Sequence, residues 1–333
     1  MSLYLHGLGH HHPETEITNA FLESLDIGTT DAWIVDRVGI RSRRSVLPLD
    51  YIRDTRNIDT RGAQEAVETP TYVMGARAAR MAIARAGIEP AQIGLVISGS
   101  SSPTMSTPAE GCFIAAELGL EVPAYDISSA CSTFLAQLGN LAMMDAERTP
   151  EFILIVATES LTTVVDYTHR GSCVLFGDGA AAAVVSTRIP GRARYLGSSV
   201  ASDPGCAHKV FIPRTGYFEQ DGAAVQKFAI RKTREGYEEM AALSAEAEER
   251  RDLHFIGHQA NLRVLDQVCK RCDISPERHH ANVDVRGNTG GASAPSVLSM
   301  EWDKFMPRDD VAIVVVGGGL TWARGLVRFE ETQ

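Results

Sequence analysis

Short apolar runs alternate with amphipathic stretches along this chain. The runs IGLVIS, FILIVA, LHFIG and VAIVVV each follow a polar or acidic lead-in and end in small residues. Runs of this kind, bounded by turn signals, are typical of strands that are buried on both faces of a parallel sheet. Between them, residues 73–87 and 235–252 place apolar side chains at helical spacing, which predicts helices. The pattern therefore predicts an α/β protein.

The pattern is also repeated within the chain. The stretch from Ala86 to Pro103 parallels the one from Arg251 to Asn261, and the stretch from Thr149 to Ser160 parallels the one from Arg308 to Leu320. In each pair a charged lead-in precedes a β-branched apolar run. We therefore predict an internal duplication of one α/β unit, with no flexible linker between the copies. Residues 45–70 are charged, rich in turn formers and weakly periodic, which predicts a surface excursion.

Composition and charge disfavour several classes of protein. The 333 residues are 44% hydrophobic and 22% charged, as in ordinary globular proteins, and no apolar stretch is long enough to cross a bilayer. The start of the sequence shows no basic segment followed by an apolar one, so we expect a cytoplasmic protein without a membrane partner. The net charge of −10 disfavours nucleic acid as a partner. Six cysteines spread over a chain of this length predict free thiols and not a disulfide framework.

One of these cysteines lies where a nucleophile would be favoured. Cys131 follows the apolar strand VPAYDI and directly precedes a long apolar helix. The positive end of a helix dipole stabilises a thiolate, so we expect the pKa of Cys131 to fall into the range of about 3.5 to 7.5. The alternative is a small buried hydrophobic residue, which is what most free cysteines are.

Two other side chains supply matching chemistry. His258 ends an apolar strand, and Asn288 lies in a glycine-rich loop that opens another helix. An imidazole that exchanges protons with a thiol, and an amide that donates to a carbonyl oxygen, are what acyl transfer through a thioester requires. Asn288 next to a glycine is also a common helix cap or turn residue, and the two roles are compatible.

Several motifs around these residues occur together in a known family. The segments FGDGAAAAVV, GHQANLRVL, GNTGGASAP and GGGLTWARGLVRF, with DAWIVDRVGIRSRR near the start, resemble the β-ketoacyl-acyl carrier protein synthase III family of the thiolase superfamily. The resemblance extends over nearly the whole chain. It implies a thiolase-like fold, in which two duplicated α/β halves stack in five layers. On this basis residues 1–185 form the half with the nucleophile, and residues 186–333 form the half with the histidine and asparagine.

The resemblance also implies roles for individual residues. Catalysis is assigned to Cys131, His258 and Asn288, and the oxyanion hole to the backbone N–H groups of Cys131 and Gly318. The coenzyme A and pantetheine site is assigned to Trp33, Arg37, Arg170, Asn261 and Arg263. A docking patch for an acidic acyl carrier protein is assigned to Lys227, Arg263, Lys270 and Arg271, with scattered surface charge as the alternative. Members of the family are homodimers that need neither metal nor organic cofactor.

The acyl pocket departs from the family pattern. Thr107 stands where relatives place a bulky aromatic residue, and Val316 stands where a phenylalanine is common; Leu320 completes the pocket. Smaller side chains at the first two positions predict a donor larger than acetyl. The implied reaction is a decarboxylating Claisen condensation of an acyl thioester, on coenzyme A or a carrier protein, with a malonyl-type or β-ketoacyl extender, in fatty acid or secondary-metabolite biosynthesis.

Alternatives remain open at this point. The same cysteine would serve an acyltransferase that passes the acyl group to an alcohol or amine without decarboxylation, and a third possibility is a non-catalytic subunit. Glu110 is either an extra base or a surface carboxylate. Cys269 and Cys272 have a spacing found in zinc sites, but the adjacent His279 and His280 do not follow at a zinc-site interval, so we expect no metal.

Overall fold

The computed structural model describes residues 3–331. The chain forms 13 strands within this range. They are β1 Leu3–His11, β2 Thr15–Thr18, β3 Ser42–Ser45, β4 Ile93–Ser98, β5 Ala124–Asp126, β6 Phe152–Glu159, β7 Gly179–Ser186, β8 Ala193–Ser202, β9 Val210–Phe211, β10 Glu219–Gln220, β11 Asp252–Gly257, β12 Asp309–Gly317 and β13 Thr321–Phe329.

The same range contains 12 α-helices, together with several short 3₁₀ turns. They are α1 Asn19–Ser24, α2 Asp31–Val38, α3 Leu49–Thr55, α4 Thr60–Ala66, α5 Thr71–Ala86, α6 Glu110–Glu117, α7 Thr133–Met143, α8 Arg170–Cys173, α9 Gly222–Ala245, α10 Leu262–Arg271, α11 Val283–Arg286 and α12 Ser293–Glu301. Helix α9 begins well before the predicted stretch at 235–252 and ends at Ala245, because the last charged residues of that stretch form a turn that leads into β11.

Nine strands form one mixed sheet whose order shows the predicted duplication. From one edge to the other the order is β5-β4-β6-β7-β1-β8-β13-β12-β11. In the first half β4 and β6 are parallel while β7 and β1 run antiparallel, and in the second half β11 and β12 are parallel while β13 and β8 run antiparallel. The two sets meet where β1 pairs with β8 over three residues. Only β5 has no counterpart among the described strands of the second half.

Alternating faces of these strands bury two different helix layers. Ile153 and Ile155 of β6 pack in one core with α7 and α12, whereas Leu154 and Val156 pack in another core with α5. Strand β12 alternates in the same way between the α7 and α12 core and α9. Because both faces of these strands are buried, their sequences are continuous apolar runs and do not alternate with polar residues. The strands of the two halves therefore form two separate layers. The central layer between them is α7 with α12, and further helices, such as α5 and α9, cover the outer face of each strand layer.

The division near residue 185 lies at the end of β7, and its exact place stays a prediction. Residues 45–70 are not simply a surface excursion, because they form α3 and α4 with Ile52 and Ala63 buried. Between these helices the buried Asn57 amide donates to the carbonyl oxygens of Thr163 and Val165 at 3.0 and 2.9 Å. These bonds fasten the segment to the body of the first half.

None of the helices within residues 3–331 is long and apolar enough to span a membrane. Over the same range, no cluster of three or more His, Cys, Asp and Glu side chains is arranged to bind a metal ion.

Candidate active site

Cys131 lies in a constrained turn just before α7. The preceding residue, Ala130, has a φ of +48°, a left-handed conformation that costs a residue other than glycine about 1–3 kcal/mol. The Thr133 hydroxyl holds this turn, because it accepts from the Ser129 N–H at 2.9 Å and donates to the Ala130 carbonyl at 2.7 Å. The Ser132 hydroxyl also donates to the Ser129 carbonyl at 2.7 Å. The turn fixes the sulfur at the start of a buried helix.

His258 directly follows β11, and its environment favours the neutral imidazole. Burial lowers the pKa of His258 to about 4. Its Nδ1 atom lies 3.4 Å from the hydroxyl of Ser293, the first residue of α12. The next residue, Gln259, is buried and braces the loop by donating to the Gly257 carbonyl at 2.8 Å and accepting from the Asn282 N–H at 3.0 Å. The imidazole is therefore held with one nitrogen toward Ser293 and the other available elsewhere.

Asn288 is held by its backbone and by one side of its amide. Its N–H donates to the Leu175 carbonyl at 2.8 Å, and its carbonyl accepts from the Gly177 N–H at 3.1 Å. The side-chain Oδ1 accepts from the Gly290 N–H at 2.9 Å. Because the oxygen is used in this way, the amide NH₂ is the group left to donate to a ligand.

The glycine run after β12 approaches the nucleophile closely. A β-carbon on Gly317 would lie 3.0 Å from the Cys131 nitrogen and 3.4 Å from its Cβ atom, so a larger residue would crowd the turn. Gly318, to which the second oxyanion donor was assigned, lines the same cavity as Gly317 and packs against Val210. Gly319 has a φ of +126°, which suits glycine at the hairpin that leads into β13.

One cavity brings these elements together. It has a volume of about 810 Å³ and is lined by Cys131, His258 and Asn288. Apolar side chains form much of the remaining wall, including Phe176, Phe218, Phe228, Val316 and Leu320. The three side chains come from distant parts of the sequence, so this convergence is a property of the fold.

The expected low pKa of Cys131 is not found. Burial, and next the negative charge of Glu159, raise the pKa of the Cys131 thiol to about 12. The sulfur lies in a buried site near a carboxylate, so the helix N-terminus does not lower its pKa as the sequence predicted. The thiol of Cys131 and the neutral imidazole of His258 are the forms that their surroundings favour.

The residues assigned to coenzyme A lie around the same cavity. Trp33, Arg37, Arg170, Asn261 and Arg263 all line it. The Arg170 guanidinium lies over the Trp33 ring, 5.1 Å from its centroid, and donates to the Gly28 carbonyl.

Two of these residues also have structural roles. The Asn261 side chain caps α10 by accepting from the Arg263 N–H at 2.8 Å. The Arg263 guanidinium donates to the Val35 carbonyl at 2.9 Å, at the end of α2, and contacts Asp266 at 3.3 Å. Arg263 thus joins α10 to α2, and much of its hydrogen-bonding capacity is already used.

Of the four predicted docking residues, Arg263 lines the cavity and the other three do not. Lys227 on α9 and Lys270 and Arg271 on α10 are exposed. Arg231, one helical turn after Lys227, is also exposed on α9, with its guanidinium 5.9 Å from the Phe228 ring centroid. The docking patch stays a prediction.

Of the predicted acyl-pocket residues, Val316 and Leu320 line the cavity and are buried. Thr107 does not: it is exposed in a loop before α6, outside the cavity of the single chain. Within one chain Thr107 therefore does not reach the cavity, because its loop is exposed, and its role in the acyl pocket stays a prediction.

Glu110 and the residues considered as a zinc site lie in the following environments. Glu110 is buried, not on the surface, and accepts from the Thr104 N–H at 3.1 Å. Burial raises its pKa to about 7. Cys269 and Cys272 are free thiols, and His279 stacks on Phe255.

Comparisons with known proteins agree with this geometry. Residues 125–204 match the family model for 3-oxoacyl-[acyl-carrier-protein (ACP)] synthase III, and residues 244–329 match the model for the C-terminal part of that protein. The β-ketoacyl-[acyl-carrier-protein] synthase III of Chlamydia pneumoniae is 32% identical over 94% of this chain and 93% of its own length.

Solved structures show the same relationship. The 3-oxoacyl-[acyl-carrier-protein] synthase III of Aquifex aeolicus VF5 superposes with a TM-score of 0.85 at 29% identity, covering 98% of this chain and all of the other. The priming β-ketosynthase of the R1128 polyketide pathway gives 0.77 at 27% identity, covering 99% of this chain and 97% of the other. Similarity over the full length, with the site residues gathered in one cavity, shows that this chain belongs to the β-ketoacyl-acyl carrier protein synthase III family and has its thiolase-like fold.

Proposed function

We propose that this protein catalyses a decarboxylating Claisen condensation through an acyl-Cys131 intermediate. The observation that carries the proposal is the shared cavity, which presents a thiol, an imidazole and a free amide NH₂ to one ligand volume. Relatives named β-ketoacyl-[acyl-carrier-protein] synthase III and a priming β-ketosynthase support the same reaction class.

In the first half-reaction the Cys131 sulfur attacks the carbonyl carbon of an acyl thioester. The backbone N–H groups of Cys131 and Gly318 donate to the oxyanion that forms, a contribution of about 2.7–4 kcal/mol each. The thiol proton passes to the neutral His258 and from there to the departing thiolate. The C–S bond to the donor breaks as the bond to Cys131 forms, so an acyl-enzyme and a free donor thiol result.

In the second half-reaction a malonyl-type thioester occupies the same cavity. His258 and Asn288 donate to its thioester carbonyl, which stabilises the enolate that forms as the carboxylate leaves as carbon dioxide. The enolate carbon attacks the acyl carbon, and the Cys131–acyl bond breaks to return the thiolate. One solvent proton is then taken up per turnover, when Cys131 becomes a thiol again.

The donor is proposed to be larger than acetyl. Val316 lines the cavity beside the glycine run, where a larger aromatic side chain would fill space. The surrounding wall is apolar, which suits an alkyl or aryl chain. The 810 Å³ volume must hold the pantetheine arm as well as the acyl group, so side-chain size at this position limits chain length.

The donor is proposed to arrive on coenzyme A, and the extender on an acidic acyl carrier protein. Trp33, Arg37 and Arg170 would bind the nucleotide through stacking and charge-assisted bonds, and the exposed cations of α9 and α10 would dock the carrier. None of these steps transfers electrons or needs a Lewis acid, so the proposal assigns no cofactor.

A homodimer is part of the proposal. The loop that carries Thr107 is exposed, and 52% of the surface of Met105 in the same loop is accessible to solvent. In a dimer this loop would reach the acyl cavity of the other protomer, which would give Thr107 the pocket role that it lacks in one chain. Size-exclusion chromatography with light scattering tests this part, and a monomer at working concentration would contradict it.

The reaction is tested with malonyl-acyl carrier protein labelled at the free carboxyl and a series of acyl-CoA donors. The expected result is label release together with a β-ketoacyl product, with a longer donor preferred to acetyl-CoA. Acyl transfer to an alcohol or amine without label release would favour the acyltransferase alternative instead.

A further inference from the structure

Glu159 is a buried carboxylate that the reaction described above does not use. It ends β6, and its side chain is fully buried. One carboxylate oxygen accepts from the Ser101 N–H at 3.0 Å and from the hydroxyls of Ser102 and Ser100 at 2.8 and 3.4 Å. The other oxygen accepts from the Gly291 N–H at 3.3 Å. All four partners are donors, which matches an ionised carboxylate.

These contacts join Glu159 to residues 100–102 on one side and to the Asn288 loop on the other. A β-carbon on Gly290 would lie 2.9–3.0 Å from the Glu159 carboxyl group, and Gly290 is the residue that orients the Asn288 amide. A β-carbon on Gly291 would lie 3.1 Å from the Ala130 carbonyl, so the loop also packs on the turn that holds Cys131. The carboxylate therefore fixes the Asn288 loop, and the loop in turn contacts the turn that carries Cys131.

Glu159 lacks the charge neutralisation that another buried carboxylate has. Asp310, on β12, is equally buried and forms ion pairs with Arg251 at 3.1 Å and Arg328 at 2.8 Å. Within residues 3–331, no lysine, arginine or histidine forms an ion pair with Glu159. Its charge thus acts on its neighbours without a local cation to cancel it, and one of those neighbours is Cys131.

We propose that Glu159 is a positioning residue with two effects: it fixes the Asn288 loop that contacts the Cys131 turn, and its negative charge adds to burial in keeping Cys131 protonated until a thioester binds. A protonated thiol is protected from adventitious electrophiles, whereas a bound thioester accepts the sulfur as the proton leaves. The inference rests on the proposed function for the use of Cys131 as the nucleophile and of Asn288 in condensation.

The groups that titrate around Glu159 support this arrangement. Burial raises the pKa of Glu159 to about 7, so its charge changes near neutral pH. The ionisable groups that its charge affects are Cys131, Glu110 on α6 and Asp178 just before β7, and in each the negative charge raises the pKa further. Asp178 is bonded to Thr162 and Val46 and not to the Asn288 loop, which makes it a matched comparison.

The charge effect is tested by the rate at which iodoacetamide alkylates Cys131 between pH 8 and 10, below the pKa of the thiol, quantified on the Cys131 peptide by mass spectrometry. Glu159→Gln is expected to raise this rate about 10-fold or more, because the thiolate fraction rises tenfold for each unit by which the pKa falls when one nearby charge is removed. Asp178→Asn, which removes a buried carboxylate that is not bonded to the Asn288 loop, is expected to raise it less. An unchanged alkylation rate in folded Glu159→Gln protein would overturn the charge role.

The positioning effect is tested separately with Glu159→Asp. This variant keeps the charge, but its shorter side chain cannot span from Ser101 to Gly291, so condensation is expected to fall about 10-fold or more with little change in the rate of Cys131 alkylation. Wild-type condensation rates in this variant would overturn the positioning role. Alkylation does not require condensation, so failure of the proposed reaction and failure of this inference give different results.

Thermal unfolding shows whether the variants are folded and provides a second measurement. The pKa of Glu159 is raised in the folded state, so its favourable contribution is complete below about pH 4.5 and is lost as the pH rises through about 7. The melting temperature of Glu159→Gln relative to wild type is therefore expected to increase from pH 5 to pH 8. A difference independent of pH would contradict a titrating Glu159.

Discussion

In the first half of the molecule β4, β6, β7 and β1 support the turn that carries Cys131, and in the second half β11, β12, β13 and β8, arranged in the same way, support His258. The surroundings differ. The charge of the buried Glu159 carboxylate raises the pKa of the Cys131 thiol, whereas burial alone lowers the pKa of the His258 imidazole. One duplicated scaffold thus provides a thiol whose proton is retained and a neutral pair that can activate a carbonyl.

This difference suggests different roles for the individual side chains. A change at Cys131 should stop both half-reactions, a change at His258 should slow both, and a change at Asn288 should mainly alter condensation. Measuring the two half-reactions separately tests this distinction.

The largest effect among second-half residues is expected at His258. His258→Ala removes a donor to the extender carbonyl and the acceptor of the Cys131 proton, so condensation should fall by about 10²- to 10⁴-fold and acyl-Cys131 should also form more slowly. Rapid-quench measurement of both half-reactions checks this. An unchanged rate of acyl-enzyme formation would contradict the role of His258 as proton acceptor.

The pH dependence of the wild-type enzyme bears on the same residue. Burial lowers the pKa of His258 to about 4, so in the folded protein the imidazole becomes protonated at a lower pH than a solvated histidine does. We expect no inflection from His258 between pH 5.5 and 8 when condensation is measured from preformed acyl-enzyme. An inflection near 6.5 that disappears in His258→Ala would show that the imidazole is solvated.

Asn288→Ala should have the next largest effect. Loss of one preorganised donor costs about 10²- to 10³-fold in rate, and this loss should again appear in condensation. Asn288→Asp is the matched control, since it keeps the bond to Gly290 but replaces the free NH₂ by an acceptor. Full activity of the aspartate variant would exclude a donor role.

A smaller effect is expected at Val316, where substrate choice should change. Val316→Phe fills space beside the glycine run, and it should shift the ratio of kcat/KM for long over short donors by about 10-fold toward short ones. Competition between two acyl-CoAs in one reaction measures the ratio. Leu320→Phe provides a second substitution in the same wall, and an unchanged ratio in both would place the acyl chain elsewhere.

The smallest effect is expected from the surface cations. Arg231→Ala or Lys270→Ala should raise the KM for the carrier-bound extender by a few-fold and reduce its salt dependence, without changing the rate with acyl-CoA. Arg308→Ala, at an exposed position that pairs with Glu249 away from the cavity, is the control. Equal responses of all three variants would exclude a localised docking patch.

The sequence was sufficient for the fold class, the duplication and the convergence of the catalytic side chains. Buried strands leave continuous apolar runs, and the short motifs around Cys131, His258 and Asn288 are local in sequence. The protonation of Cys131 was not predictable in the same way, because it depends on Glu159 and on burial, which arise only when separate segments pack together. The same reason explains Thr107, whose position in an exposed loop is not encoded by its neighbours.

The position of Glu159 could have been noticed in the sequence. The run FILIVATE is mostly apolar and ends in a glutamate. Ligand-binding groups often lie at the carboxyl ends of buried parallel strands. Its partners, however, lie in three different segments, so its role could be recognised only in the structure.

The central claim is that Cys131 carries the acyl group during catalysis. Intact-mass analysis after incubation with an acyl-CoA, followed by peptide mapping, tests it most directly. The wild-type protein is expected to gain the mass of one acyl group on the Cys131 peptide and to lose it on addition of malonyl-acyl carrier protein, whereas Cys131→Ala should gain none and form no β-ketoacyl product. Undiminished product formation by Cys131→Ala would contradict the account.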